Sequence, residues 1–176
     1  LLNCAIPEKA KDSIIIDNMN GANQMVRHLV KHGHKRIAII KGEENNFDAE
    51  ERLKGYRSAL YDAGLELNPK YEIPGNFNEE SGYTAMKKIL ALKPRPTAVF
   101  ASNDAMAIGA ISAIQSKGLR IPEDIAICGF DDVPIAKYLK PSLSSVHVPI
   151  YDLGTNAATK LFRLIKNENN IHEEKI

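Results

Sequence analysis

Ile125-Ala126-Ile127-Cys128-Gly129-Phe130-Asp131-Asp132-Val133-Pro134 is the stretch that decides the fold. Four apolar residues run into Gly129-Phe130, and two carboxylates follow. The run is short and β-branched, and Pro122 lies just before it. It therefore reads as a strand buried on both faces, as strands of parallel sheets are. In an open parallel α/β sheet, ligands sit outside the carboxyl ends of the strands. Asp131 is expected there, at the mouth of a crevice.

Upstream of that strand, the same strand-then-helix grammar repeats. Arg36 to Lys41 is expected as a strand, followed by a loop from Gly42 to Asp48 and a helix carrying Leu53, Tyr56, Leu60 and Ala63. A weaker strand is expected around Tyr71 to Ile73, with a helix from about Asn78 that stops before Pro94. A third runs from Thr97 to Ala101, with a helix from Asn103 that ends at Gly118. With the deciding strand this makes four units, and such alternation argues for a parallel sheet joined by right-handed crossovers. Before them, Leu1 to Ile6 and Ser13 to Ile16 are candidate strands. Ala22, Met25, Val26, Leu29 and Val30 then recur at helical spacing, with Gly33 suited to the helix end. After the deciding strand, Val146 and Val148 are expected in an extended segment that leaves the sheet. A final helix carries Leu153, Ala157, Leu161 and Leu164, and a polar tail follows Lys166. The expected organisation is an α/β fold, a parallel sheet with helices on both faces. Residues 33–148 form the main lobe. Residues 1–32 and 149–166 belong to part of a second lobe and its crossings, and 167–176 form a tail.

Each unit places polar residues just past its strand: Asn45, Asn46, Asp48 and Arg52; Asn76, Phe77 and Asn78; Ser102, Asn103 and Asp104; Asp131 and Asp132. In a parallel sheet these four sets share one edge. Any one of them also reads as a cap or loop residue; Asn78, Asn103 and Asp104 suit helix starts. Together they suit a neutral ligand rich in hydroxyl or amide groups. Aspartate accepts hydroxyl bonds, arginine donates through a rigid fork, and asparagine does both. Phe77 offers a flat face for stacking, or is a plain core aromatic. Arg52 is alternatively a solvated residue paired with Asp48 at i, i+4.

Composition narrows the alternatives. The chain has 176 residues, 44% hydrophobic and 26% charged, with a net charge of +1. Nothing marks a nucleic-acid footprint, and no run approaches a membrane span. Cys4 and Cys128 read as buried free thiols. His28 and His32 lie four apart on one helix face, but no carboxylate completes a zinc motif, so no metal site is read. There is no phosphate-binding Gly-rich loop and no nucleophile elbow. No catalytic residue and no cofactor is expected.

Several motifs are specific. Leu119-Arg120-Ile121-Pro122-Glu123-Asp124-Ile125, Gly129-Phe130-Asp131-Asp132 and Pro141-Ser142-Leu143-Ser144-Ser145-Val146 resemble the effector-binding core of the lactose-repressor (LacI) family of bacterial transcription regulators. The stretch from His28 to Ile37, Arg52-Leu53-Lys54-Gly55-Tyr56 and Ala101-Ser102-Asn103-Asp104-Ala105-Met106-Ala107-Ile108-Gly109 are similar to its entering helix, arginine motif and third strand. The resemblance implies a periplasmic-binding-protein-like fold and a cytoplasmic homodimer assembled through the main lobe. It also implies a small-molecule effector, sugar or nucleobase-like, between two lobes. Arg52, Asn103 and Asp131 are implied effector contacts and Phe77 the stacking aromatic. Asn46 and Asp48 fall in the ligand-selecting loop, and Asn20 and Ile150 at the lobe crossings. Operator DNA would be bound only through a helix-turn-helix headpiece, which the resemblance implies lies outside this sequence. The rival reading is an extracytoplasmic sugar-binding protein of an ABC transporter, with the same fold.

Overall fold

The computed structural model describes residues 13–166 and 174–175. The backbone divides into two units, the larger being Asn18–His147 and the smaller comprising the flanking residues on both sides.

The larger unit is a five-stranded, all-parallel sheet in the order β3-β2-β4-β5-β6. Its elements are α1 (Asn18–Lys31), β2 (Ile37–Ile40), α2 (Phe47–Asp62), β3 (Glu72–Ile73), α3 (Glu79–Ala91), β4 (Ala98–Ala101), α4 (Asp104–Ser116), β5 (Ala126–Asp131) and β6 (Ser144–His147). The smaller unit holds β1 (Ile14–Ile15), α5 (Ile150–Ile165) and β7 (Glu174–Lys175), with β1 and β7 paired in parallel. There the buried Lys160 donates from Nζ to the Ser13 carbonyl at 3.0 Å.

Side chains alternate across the sheet, and both faces are covered, so the inner strands are apolar throughout. Ala38, Ile40, Val99, Ala101 and Ile127 join one core with Ala85, Met86 and Ile89 of α3 and Met106, Ala110 and Ile114 of α4. Ile39 is in register with Phe100, and Phe100 with Cys128, on the opposite face. There Phe130 meets Gly21 of α1, and the Tyr56 hydroxyl of α2 donates to the Ile37 carbonyl at 2.8 Å. Helices therefore lie on both faces, as expected.

Local chemistry explains the helix limits. Asn46, Asn78 and Asn103 stand before α2, α3 and α4, and each side chain accepts from the amide three residues on, at 3.1, 2.9 and 2.9 Å. Gly33, Gly64 and Gly118 end α1, α2 and α4 with φ of 87°, 65° and 68°, a region side-chain-bearing residues avoid.

Two expectations need correcting. The sheet has a fifth strand: Ser144–His147 pairs with β5 instead of merely leaving the sheet, with Phe130 opposite Val146 and Asp131 opposite His147. And α1 lies within the larger unit, packed on α2, whereas residues 1–32 were expected as part of the second lobe and its crossing. Gly55 is the reason α1 sits so close. A Cβ there would stand 2.2 Å from the Met19 carbonyl oxygen. The candidate strand at Leu1 to Ile6 lies outside the described residues, as do Cys4 and most of the tail. Cys128 is a buried free thiol, its Sγ 3.6 Å from the Val99 carbonyl, and burial pushes its ionisation far up.

Candidate functional site

Parallel strands bring the loops after β2, β3, β4 and β5 to one edge of the larger unit. Arg52, one turn into α2, is the centre of that edge. It is only 4% exposed. Its Nε donates to Asn18 Oδ1 at 2.8 Å, and Nη1 donates to the Ser102 carbonyl at the end of β4. Nη1 also lies 3.5 Å from Asp131 Oδ1. The guanidinium carbon sits 3.8 Å from the Phe130 ring centroid and 5.9 Å from that of Phe77. One side chain thus links α1, α2, β4 and β5, and its plane lies against an aromatic face.

Asn18 links Asp48 to Arg52: its Nδ2 donates to Asp48 Oδ1 at 2.8 Å, and its Oδ1 accepts from Arg52 Nε at 2.8 Å. The buried Asn18 was missed in the sequence. It sits 34 residues from Arg52, and no spacing rule connects them.

Three of the four tips carry backbone that side-chain-bearing residues rarely adopt. Asn45 has φ 63°, Phe77 φ 67°, and Asp131 and Asp132 φ 110° and 56°. Such conformations cost about 1–3 kcal/mol each and gather at functional sites. Phe77 is held from two sides. Asn103 Nδ2 donates to its carbonyl at 2.9 Å, and its ring lies over Gly42, where a Cβ would come within 2.1 Å of the ring. Asn103 Oδ1 meanwhile caps α4, so this side chain is anchored at both ends. Asn46 caps α2 beside Asp48. Asn20 is exposed on the first turn of α1. Ile150 opens α5 in the smaller unit and is 62% exposed. The structure therefore gathers Arg52, Phe77, Asn103, Asp131, Asn46 and Asp48 in the larger unit. Ser102 Oγ adds a buried hydroxyl with no hydrogen-bond partner among the described residues.

The electrostatics are those of a half-buried ion pair. Burial lowers the Arg52 pKa, and Asp131, Asp48 and Asp104 oppose that. Burial pushes the Asp131 carboxyl up to about 6, against the pull of Arg52, with Asp104 and Asp48 adding to the rise. Because the folded value lies above the unfolded one, the folded state binds this proton more tightly. The group's contribution to stability is full below the ordinary carboxylate range and is lost as pH rises toward 6. Urea unfolding of the wild type and Asp131→Asn at about pH 4 and about pH 7 checks this. The wild type should lose stability relative to the variant across that interval, and identical pH dependence would contradict it.

Among the described residues no group of three or more His, Cys, Asp or Glu could hold a metal; the His28 and His32 rings lie against each other, centroids 4.3 Å apart and planes tilted by 45°. No helix among them is long and apolar enough to cross a membrane.

Residues 26–176 match the family model of the periplasmic binding protein-like domain. Over the whole chain, the sequence is 40% identical to a probable HTH-type transcriptional repressor, ExuR, of Bacillus subtilis, covering 53% of that protein. It is 43% identical to the HTH-type transcriptional repressor PurR of Pasteurella multocida, over 93% of this chain and 49% of that one. The chain spans about half the length of the curated relatives it matches. Among solved structures, a sugar-binding LacI-family regulator from Escherichia coli, complexed with phosphate, superposes with a TM-score of 0.93 at 31% identity, covering 99% of this chain and 63% of that one. A LacI-family regulator from Enterococcus faecium with bound ribose gives 0.88 at 30% identity, covering 99% and 64%. With the parallel sheet, the strand-end polar edge and the motifs in place, this chain belongs to the LacI family of transcription regulators and carries its periplasmic-binding-protein-like domain.

Proposed function

We propose that this chain is the part of a transcription regulator that senses a small, polar, hydroxyl- or amide-rich effector, a sugar or a nucleobase-like molecule. The observation that carries the reading is the strained, convergent edge around Arg52, Phe77 and Asp131. Asp131 is the hydroxyl acceptor and Arg52 the donor, fixed before any ligand arrives. Phe77 is the stacking face. Asn103, Asn46, Asp48 and Asn20 supply further polar contacts. A site whose groups are already oriented loses little freedom on binding. The relatives named are repressors, which favours a regulator over a transporter-linked solute-binding protein or an enzyme.

In this reading the effector shifts the balance between two conformations, and that balance sets operator affinity through a headpiece not among these 176 residues. The regulator works in the cytoplasm as a homodimer, through α3, α4 and the loop at 133–139. Ile135 and Tyr138 of that loop are 53% and 69% exposed, which suits a contact surface. Light scattering that finds only monomer at high concentration would oppose the dimer.

Calorimetric titration of the full-length regulator with sugars and nucleobases tests the sensor. Asp131→Ala should weaken effector binding by about 100-fold, the effect of leaving a hydroxyl donor and Arg52 without their partner. If no compound binds and Asp131→Ala leaves the operator response intact, the sensor reading is wrong.

A further inference from the structure

Asp104 is the first residue of α4 and is completely buried, yet it does not cap that helix; Asn103 does. Its oxygens are turned to the loop after β5. Oδ2 accepts from the Val133 amide at 2.9 Å, and Oδ1 accepts from the Ser145 hydroxyl at 2.6 Å. Ser145 Oγ in turn accepts from the Asp132 amide at 3.0 Å. The carboxylate lies against bare backbone of β5, for a Cβ on Gly129 would stand 2.1 Å from Oδ1. The segment so gripped is the one in which Asp131 and Asp132 both have positive φ.

We propose that Asp104 and Ser145 are positioning residues for Asp131. They touch no ligand; they hold residues 131–133 in a backbone conformation that side-chain-bearing residues disfavour, and so aim the Asp131 carboxylate beside Arg52. The inference rests on the reading of Asp131 as a ligand contact. A buried carboxylate is expensive to keep, and burial is the main influence raising its pKa. Here it is retained where two consecutive loop amides, one reached directly and one through a hydroxyl, need a fixed acceptor. Ser145 is suited to the middle position because a hydroxyl donates and accepts at once. A second tie runs beside it, with His147 Nδ1 2.8 Å from Asp132 Oδ2 at the exposed rim.

Ser145→Ala is the variant of choice, since it removes the bridge and leaves the buried carboxylate its bond from the Val133 amide. Ser145→Thr keeps the hydroxyl and serves as rescue. In the full-length protein, three readouts are compared: amide exchange at Asp132 and Val133, the carboxyl titration of Asp131 by carbon NMR, and calorimetric binding of D-ribose and cellobiose. Ser145→Ala should speed Asp132 exchange about tenfold, move the Asp131 midpoint and weaken sugar binding about tenfold, the scale of one lost hydrogen bond to a charged network. Ser145→Thr should restore all three. A folded Ser145→Ala with unchanged Asp132 exchange and an unchanged Asp131 midpoint overturns the proposal. So does a loss of stability alone, with both of those readouts as in the wild type. If the wild type binds neither sugar while both NMR readouts still respond to Ser145→Ala, positioning stands and the ligand reading for those probes falls.

Discussion

Arg52→Ala should lower the unfolding free energy by about 3 kcal/mol, the lower end of what removing one partner from a buried ion pair costs. The lower end applies because Asp131 keeps a third of its side chain in solvent. The loss has several sources. The Ser102 carbonyl and Asn18 Oδ1 lose their donor, Asp131 keeps a burial cost with no counter-charge, and the Phe130 ring loses its stacked plane. Arg52→Lys should recover only part of this, because an ammonium cannot reach three acceptors and stack at the same time. Urea denaturation decides the matter. A loss under about 1 kcal/mol would mean that the guanidinium is an ordinary surface charge and not the keystone of the edge.

Gly109→Ala should destabilise by about 3 kcal/mol or more, although alanine is the better helix former by about 1 kcal/mol. A Cβ at 109 would stand 1.8 Å from the Glu79 carbonyl oxygen and 2.9 Å from the Tyr83 amide nitrogen. Those are backbone atoms of α3, and no side-chain rotation can clear them. The contact is reciprocal, since a Cβ on Gly82 would reach within 2.1 Å of the Met106 carbonyl oxygen. To accept either methyl, α3 and α4 must move apart and loosen the core they share with Met86 and Met106. Gly154 of α5 is the control. Among the described residues nothing lies within 4 Å of its Cβ position, so Gly154→Ala should raise stability by up to about 1 kcal/mol. Thermal unfolding of both variants would show opposite signs. Equal shifts would mean that helix propensity, not helix approach, governs Gly109.

The strands the sequence showed well are those whose apolar run is buried on both sides. Ile37–Ile40, Ala98–Ala101 and the stretch up to Phe130 carry no polar residue, and all are inner strands. β6 was not legible because it is an edge. Ser144-Ser145-Val146-His147 is exposed at its ends, so its residues have no reason to be apolar, and only hydrogen bonding to β5 makes it a strand. The convergence of the polar tips followed from parallel topology alone. What spacing could not show were the links across it. Asn18 joins Arg52 to Asp48 through its amide from 34 residues upstream of Arg52, a link no local spacing reveals. Asp104 is adjacent to the true cap, so its residue type fitted a role its oxygens do not play. Positive φ at Phe77 carries no sequence signal, because an aromatic is among the last residues expected there.

The order of the sheet also bears on how the molecule avoids its own copies. Its two outermost strands are β3, with two residues, and β6, with four. β6 is bracketed by Pro141 and Pro149, neither of which has an amide hydrogen to offer a newcomer. Neither rim therefore presents a run long enough to template strand addition, so the sheet is shielded at both margins against intermolecular polymerisation.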